Sequence, residues 1–205
     1  MGANYLFQNS PISKWSDSLE KDVLRPVHDS NPAVGVVGKE NIVLAVEKTV
    51  TDPRSATNIL PLDNTGTILA YAGSGREAPF LVKRVQIDIE YGEHFTQNSF
   101  PISPAYVACK VADVHRQLDC CDRKPYSLLT LIVGFEPSTL LHELWVAHPS
   151  GIVRKCRAHA IGRDFELRNE FLCKNYNYQE TSGQTAVGSL QSVHCLRLVK
   201  VGKRK

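Results

Sequence analysis

Residues Leu128–Val133 read Leu-Leu-Thr-Leu-Ile-Val, with Gly134 behind them and Arg123–Lys124–Pro125 in front. A short, continuous apolar run bounded by turn residues is the pattern of a strand buried on both faces. Such a strand forces the chain into layers, because neither of its sides can meet water. The strand is expected to stop at Gly134. Leu140–Ala147 then reads as an antiparallel partner, Pro149–Ser150–Gly151 as a turn, and Ile152–His159 as a third strand, which together make a meander.

The remaining elements follow from periodicity and punctuation. Ser16–Asp17–Ser18 caps a helix over Leu19–Leu24, expected to end ahead of Pro26. Ala33–Val37 and Asn41–Val46 read as one hairpin, and Ile59–Leu62 with Thr67–Ala72 as another. Thr49–Thr57 is polar, contains Pro53 and reads as a loop. A helix opens near Glu77–Ala78–Pro79, with Phe80, Val82, Val85, Ile87, Ile89 and Phe95 as its apolar positions. A second starts behind Ser103 as N-cap, with Tyr106, Val107, Val111, Val114 and Leu118 on one stripe. After the meander come a helix over Asp164–Asn175, a polar loop over Gln179–Gly188, an edge strand over Cys195–Val201 and a basic tail, Lys200–Lys205. Strands interrupted by a helix pair predict packed sheets with helices outside, not an alternating doubly wound sheet.

Composition narrows the function. The chain has 205 residues and is 42% hydrophobic, enough for one domain with a full core. A net charge of +3 gives no argument for nucleic acid or a membrane surface as partner. No apolar run approaches the ~20 residues that span a bilayer, and the N-terminal stretch lacks the apolar core of a signal peptide. Six cysteines without a C-x-x-C are expected to be buried thiols of a reducing compartment. Cys120–Cys121 lacks the second pair that a metal site needs, so neither metal nor cofactor is expected. No G-x-S-x-G, P-loop, H-E-x-x-H or Rossmann glycine pattern occurs. The seven histidines are scattered; His142 and His148, on or beside a strand, read as surface or core imidazoles. Asp88 and Glu90, two apart on a helix, share no face and read as solvated charges.

Several stretches resemble, in order, those of 20S proteasome α-type subunits. Ala33–Val36 and Ile42–Lys48 look like that family's opening strands, and Tyr71–Ala72–Gly73 like the A-G before its first long helix. Arg123, Pro125 and Tyr126 match R-x-P-F/Y. Pro149, Ser150 and Gly151 match D-P-S-G, with His148 in place of the acid. Ala160–Arg163, including Gly162, and then Glu170–Tyr176 resemble the A-I-G and the helix after it. The phrases V-L-A-V-E-K, L-I-V-G-F and A-I-G-R are most similar to the subunit at the fourth place of the eukaryotic α ring.

The resemblance implies an α+β fold, a four-layer αββα sandwich of two antiparallel sheets flanked by helices. Residues 1–31 would be an N-terminal extension with a pore-side helix, and 32–205 a single sandwich domain. It also implies a non-catalytic ring subunit in the cytoplasm and nucleus. Its partners would be neighbouring α-type subunits, β-type subunits of the adjacent ring, and activators or the regulatory particle. The β-type relatives are hydrolases whose nucleophile is a threonine freed by cleavage after a glycine. Here Pro32 precedes Ala33, Glu47–Lys48 stands where the β type keeps its acid-then-basic pair, and the one Gly-Thr, Gly66–Thr67, lies inside a hairpin. A catalytic β-type hydrolase and a stand-alone cytosolic binding module are the alternatives. The chain also departs from the α pattern. Ser10–Pro11 is followed by Ile12–Ser13 instead of an acidic-Gly turn, and Gly2–Ala3–Asn4 stand where the family has Tyr-Asp-Arg. The lysine that receives an activator's C-terminal carboxylate is Asn58 here, followed by Ile59–Leu60–Pro61–Leu62–Asp63.

Overall fold

A computed structural model describes residues 15–39, 41–47, 58–62, 66–96, 102–178 and 196–202, by backbone alone over 92–96 and 196–202. Its elements run α1 (Asp17–His28), β1 (Ala33–Val37), β2 (Asn41–Glu47), β3 (Ile59–Pro61), β4 (Ile68–Gly73), α2 (Ala78–Thr96) and α3 (Pro104–Cys120). Then follow β5 (Leu128–Glu136), β6 (Leu141–Ala147), β7 (Val153–Cys156), β8 (Ala158–Ile161), α4 (Phe165–Asn175) and β9 (Leu196–Gly202). The strands form a four-stranded sheet, β8-β1-β2-β9, and a five-stranded sheet, β3-β4-β5-β6-β7. Every paired neighbour is antiparallel.

Side-chain alternation sorts the strands into layers. On β5, Leu129, Leu131 and Val133 face the other sheet, where they meet Ala33, Ile42, Leu44 and Val46. Leu128 and Ile132 point the opposite way, into a cluster with Leu81 and Val85 of α2 and Val107 and Val111 of α3. The other sheet does the same: Val34, Val36, Val43 and Ala45 turn outward onto Leu172 of α4. Tyr176 closes that layer by donating its hydroxyl to the Val37 carbonyl at 2.8 Å. The result is the expected αββα sandwich. The expected loops at Thr49–Thr57 and Gln179–Gly188 and the residues before Trp15 lie outside the described residues.

Four local expectations are corrected. Helix α1 does not end before Pro26 but runs to His28. Proline removes the N–H that would bond the carbonyl four residues back. That carbonyl, on Asp22, instead accepts from Lys124 Nζ at 3.0 Å. Strand β5 passes through Gly134 to Glu136, because this glycine marks a close approach and not an end. A Cβ there would lie 2.8 Å from Pro104 Cγ at the start of α3. Ile152–His159 is two strands: Val153–Cys156 pairs with β6, and Ala158–Ile161 crosses to pair with β1. The corner residue is Arg157, whose carbonyl accepts from Val37 N at 2.8 Å. No glycine or proline marks this corner, so alternation alone reads straight across it. Finally, Phe80 is 67% exposed and Leu81 takes the buried place on α2.

The cysteines also differ from expectation. Those described are free thiols, yet Cys120, Cys121 and Cys173 are exposed and Cys109 and Cys156 half-buried. Cys120 and Cys121 stand where α3 leaves the core, and Cys173 follows the buried Leu172 onto the outer side of α4. Position on the helix overrides the general preference of cysteine for burial.

Two glycines separate conformation from crowding. Gly66 and Gly162 both have positive φ, +105° and +91°. A Cβ on Gly66 meets nothing within 4 Å, whereas one on Gly162 would lie 2.7 Å from the Asn31 carbonyl oxygen and 2.9 Å from Pro32 Cα. Gly66→Ala should therefore cost only the left-handed penalty of about 1–2 kcal/mol, and Gly162→Ala a further ~1–3 kcal/mol from overpacking against backbone. Urea midpoints of the two variants check this; equal losses would contradict it.

Candidate functional site

The resemblance to a family that includes hydrolases implies that a nucleophile, where there is one, sits at the end of the cleft where β1 begins. Here that end is closed by continuous chain. The Pro32 carbonyl accepts from Glu47 N at 3.1 Å, so the residue before Ala33 is already held in the ladder, and Ala33 carries no free amine. Gly162 packs on Asn31 and Pro32, and Arg163 N donates to the Ser30 carbonyl at 3.0 Å. The Arg163 guanidinium reaches Glu47 at 3.3 Å, which ties the end of β2 to the turn after β8.

Helix α1 occupies the mouth of the same cleft. Its Ser16 side chain caps Leu19 N at 3.3 Å, and Val23 and Val27 are 0% and 1% exposed. Val27 and Leu24 join the inter-sheet cluster beside Ala33, Leu129 and Val146. Burying a valine contributes roughly 1.5–3 kcal/mol, so apolar contact dominates this docking. The Lys124 bond to Asp22 fixes where along the helix it sits.

The motif positions fall into three places. Arg123, Pro125 and Tyr126 form the corner from α3 into β5. Asp122 adopts a left-handed φ of 54° there, and Arg123 N bonds the Leu118 carbonyl at 2.8 Å. Pro125 is buried, and the Tyr126 ring meets His115 edge-on at 6.3 Å. Pro149, Ser150 and Gly151 are buried in the β6–β7 turn. His148 does the work of the missing acid: its Nδ1 accepts from Ser150 N at 3.1 Å and lies 2.7 Å from Ser150 Oγ. Arg116 on α3 donates to the Gly151 carbonyl at 2.6 Å, so α3 joins the corner to the turn. Gly162 stands at the cleft end. Asn58 stands apart, half-buried beside the edge strand β3, with its carbonyl accepting from Tyr71 N at 2.9 Å.

Several participants gave no signal in the sequence. Glu77 accepts from Ser127 N at 2.8 Å, bridging the start of α2 to β5. Asn169 bonds both backbone groups of Ala160, at 2.8 and 3.1 Å, and so caps the edge strand β8. His115 is completely buried with no hydrogen-bond partner on either nitrogen. Burial pushes its pKa down to about 3, helped by His148 and Arg116. Burial likewise lowers His159 to about 4, with Arg154 adding to the effect. His148 is lowered by burial; Glu20 opposes that shift and Arg154 reinforces it. His142 packs edge-on against Phe135 at 5.6 Å, so both histidines singled out in the sequence have neighbours. Asp88 is paired with Arg84 at 3.9 Å instead of standing free. Among the described residues no group of three His, Cys, Asp or Glu could hold a metal ion.

The layered cleft with a helix in its mouth defines a class, and the comparisons agree. The family model described as "Proteasome subunit" matches residues 27–195. This chain belongs to the proteasome subunit family. It is 37% identical over 169 residues to proteasome subunit alpha type-7-B of Arabidopsis thaliana, covering 80% of this chain and 66% of that protein. To proteasome subunit alpha type-4 of Saccharomyces cerevisiae it is 30% identical over 162 residues, 77% of this chain and 63% of the relative. To alpha type-7-1 of Drosophila melanogaster it is 28% identical over 182 residues, 86% and 72% respectively. The chain thus spans about two thirds of the length of these relatives.

The buried imidazoles set a pH dependence. A base whose folded pKa lies below its unfolded value near 6.5 binds more protons when unfolded. Stability is therefore full above about 6.5 and is lost as pH falls towards about 4 for His159 and about 3 for His115. The urea midpoint should fall on going from about pH 7.5 to about pH 5, and His159→Gln should remove part of that slope. A midpoint that holds or rises on acidification would overturn this reading.

Proposed function

We propose that this chain is a non-catalytic subunit of the α ring of the 20S proteasome core particle. Its mechanism is geometric: it helps build a ring whose pore admits unfolded protein to β-type active sites below, within ubiquitin-dependent degradation. The observation that carries this reading is the filled cleft. A hydrolase of this fold needs an open cleft and a free amine at the start of β1, and here Pro32 and α1 occupy those places. The α-type names of the relatives support it, and the phrases shared with the fourth ring member support that position.

The partners are two lateral α-type neighbours, β-type subunits beneath and an activator or regulatory particle above, with the complex in cytoplasm and nucleus. Helix α2 supports such contacts. Phe80 and Tyr91, 67% and 64% exposed, are three turns apart on one face. Leu167, 69% exposed, offers a second apolar contact on α4. Residues 1–14, which carry the departures from the family's gating sequence, lie outside the described residues.

Two outcomes follow. The isolated chain should hydrolyse no fluorogenic peptide and should self-associate, because ring interfaces bury about 2,000 Å² or more of largely apolar surface. Peptide turnover blocked by a threonine-directed inhibitor, or a sharp 22.8 kDa monomer in sedimentation, would contradict the assignment. Asn58 weakens the activator pocket, because a neutral amide replaces an ammonium. In the assembled ring, Asn58→Lys should tighten binding of an activator-tail peptide about five-fold, the ~1 kcal/mol by which charged hydrogen bonds exceed neutral ones. Unchanged affinity would mean that the site is unused or that another cation, such as Arg54 or Lys83, already supplies the charge.

A further inference from the structure

At the other end of the sandwich, away from α1, the layers part again. Strand β7 stops at Cys156, and the chain crosses at Arg157 into the other sheet, where the Arg157 carbonyl accepts from Val37 N at 2.8 Å. Strand β6 extends beyond the end of β7, over Leu141–Glu143. The space between the β5–β6 hairpin and the end of β1 is a groove of about 320 Å³.

Charge along this groove is unbalanced. The carboxylate on its lining, Glu143, is buried and doubly engaged: it accepts from the Trp145 indole at 2.8 Å and forms an ion pair with Lys155. Glu136, opposite Leu141 at the foot of the hairpin, lies off the lining and accepts from Ser138 Oγ at 2.7 Å. Lys39 and Arg157, both exposed on the lining, have no carboxylate partner among the described residues. Since Lys155 and Glu143 cancel, these two cations are uncompensated.

The hairpin beside them is strained and apolar at once. Leu140 has a left-handed φ of 56°, which bulky side chains rarely adopt, and its N–H closes the turn on the Glu136 carbonyl at 2.9 Å. Leu140 and Leu141 are 60% and 53% exposed and both line the groove. Backbone strain and exposed apolar surface at one tip do nothing for packing within this chain, and both mark contact surfaces.

Leucines beside uncompensated cations select an occupant by charge and shape. A nucleic-acid backbone would leave the leucines in water, and a flat bilayer does not enter a groove sunk between two hairpins. An extended peptide satisfies both features, with aliphatic side chains on Leu140 and Leu141 and carboxylates on Arg157 and Lys39. We propose that this groove docks an acidic, aliphatic peptide segment of a partner protein. The site lies within one chain and does not depend on the ring role.

Fluorescence anisotropy of the full chain with a labelled peptide rich in leucine and glutamate tests this. The peptide should bind saturably, and its glutamine counterpart about ten-fold more weakly or worse. Arg157→Gln should weaken the glutamate peptide about ten-fold and leave the glutamine peptide unchanged. Leu140→Asn, which relieves the left-handed strain, should keep or raise the urea midpoint and yet weaken both peptides. Circular dichroism checks that each variant is folded. Absence of saturable binding down to an affinity of about 1 mM would overturn the proposal. So would equal affinity for the two peptides, or binding that neither variant changes. Binding of the chain to phosphatidylserine vesicles that both variants abolish would overturn it in favour of a membrane surface.

Discussion

The face-to-face contact of the two sheets is the constraint on which the rest of this molecule depends. Leu131 and Leu144 from one sheet and Ile42 and Leu44 from the other are all fully buried between them. A leucine so placed typically costs about 2–5 kcal/mol when cut back to alanine, which is a large share of the total stability of a domain. Gly35 lets the layers close. A Cβ at that position would lie 2.8 Å from Leu144 Cδ1, so the leucine tip occupies the space a side chain would take. With the inner faces committed to each other, the outer faces must be covered by helices. Both β5 and β2 are therefore apolar along nearly their whole length.

The same packing determines what the cleft can do. Two twisted sheets in contact leave a wedge at their ends, and at one end this chain fills the wedge with Val27 and Leu24 of α1. In the role proposed here, the fold of a hydrolase serves a purpose that needs surfaces and not a nucleophile. Fold alone would not decide between these uses. The contents of the cleft support the proposed one, since the Pro32 carbonyl accepts from Glu47 N at the place where a catalytic amine would have to be free. The filling is incomplete, and a cavity between α1 and Arg154 remains open.

Much of this was legible in the chain because burial on two faces and helical periodicity leave strong local marks. Leu128–Val133, the Ser103 cap and the hairpin of β1 and β2 were all readable from residue type and spacing. What was hidden depends on contacts distant in sequence. Pro26 reads as a stop until Lys124, about a hundred residues later, is seen bonded to the Asp22 carbonyl. The corner at Arg157 is invisible because the strand pattern persists while the pairing partner changes from β6 to β1. His148 looked like the loss of a turn-forming acid, yet an imidazole nitrogen accepts the same backbone N–H. The family positions were found by resemblance, but spacing could not show that Tyr126 and Gly151 are both held by α3 while Asn58 stands apart.

The central claim is that this chain acts as a non-catalytic member of a ring. Native purification of the tagged chain from its own cells, followed by mass spectrometry of the intact complex and of each chain's N-terminus, tests it most directly. The account predicts a particle many times the 22.8 kDa of this chain, containing it beside other proteasome subunits, with no new N-terminus at a threonine. Recovery of the chain alone at monomer mass, or with a processed N-terminal threonine, would contradict it.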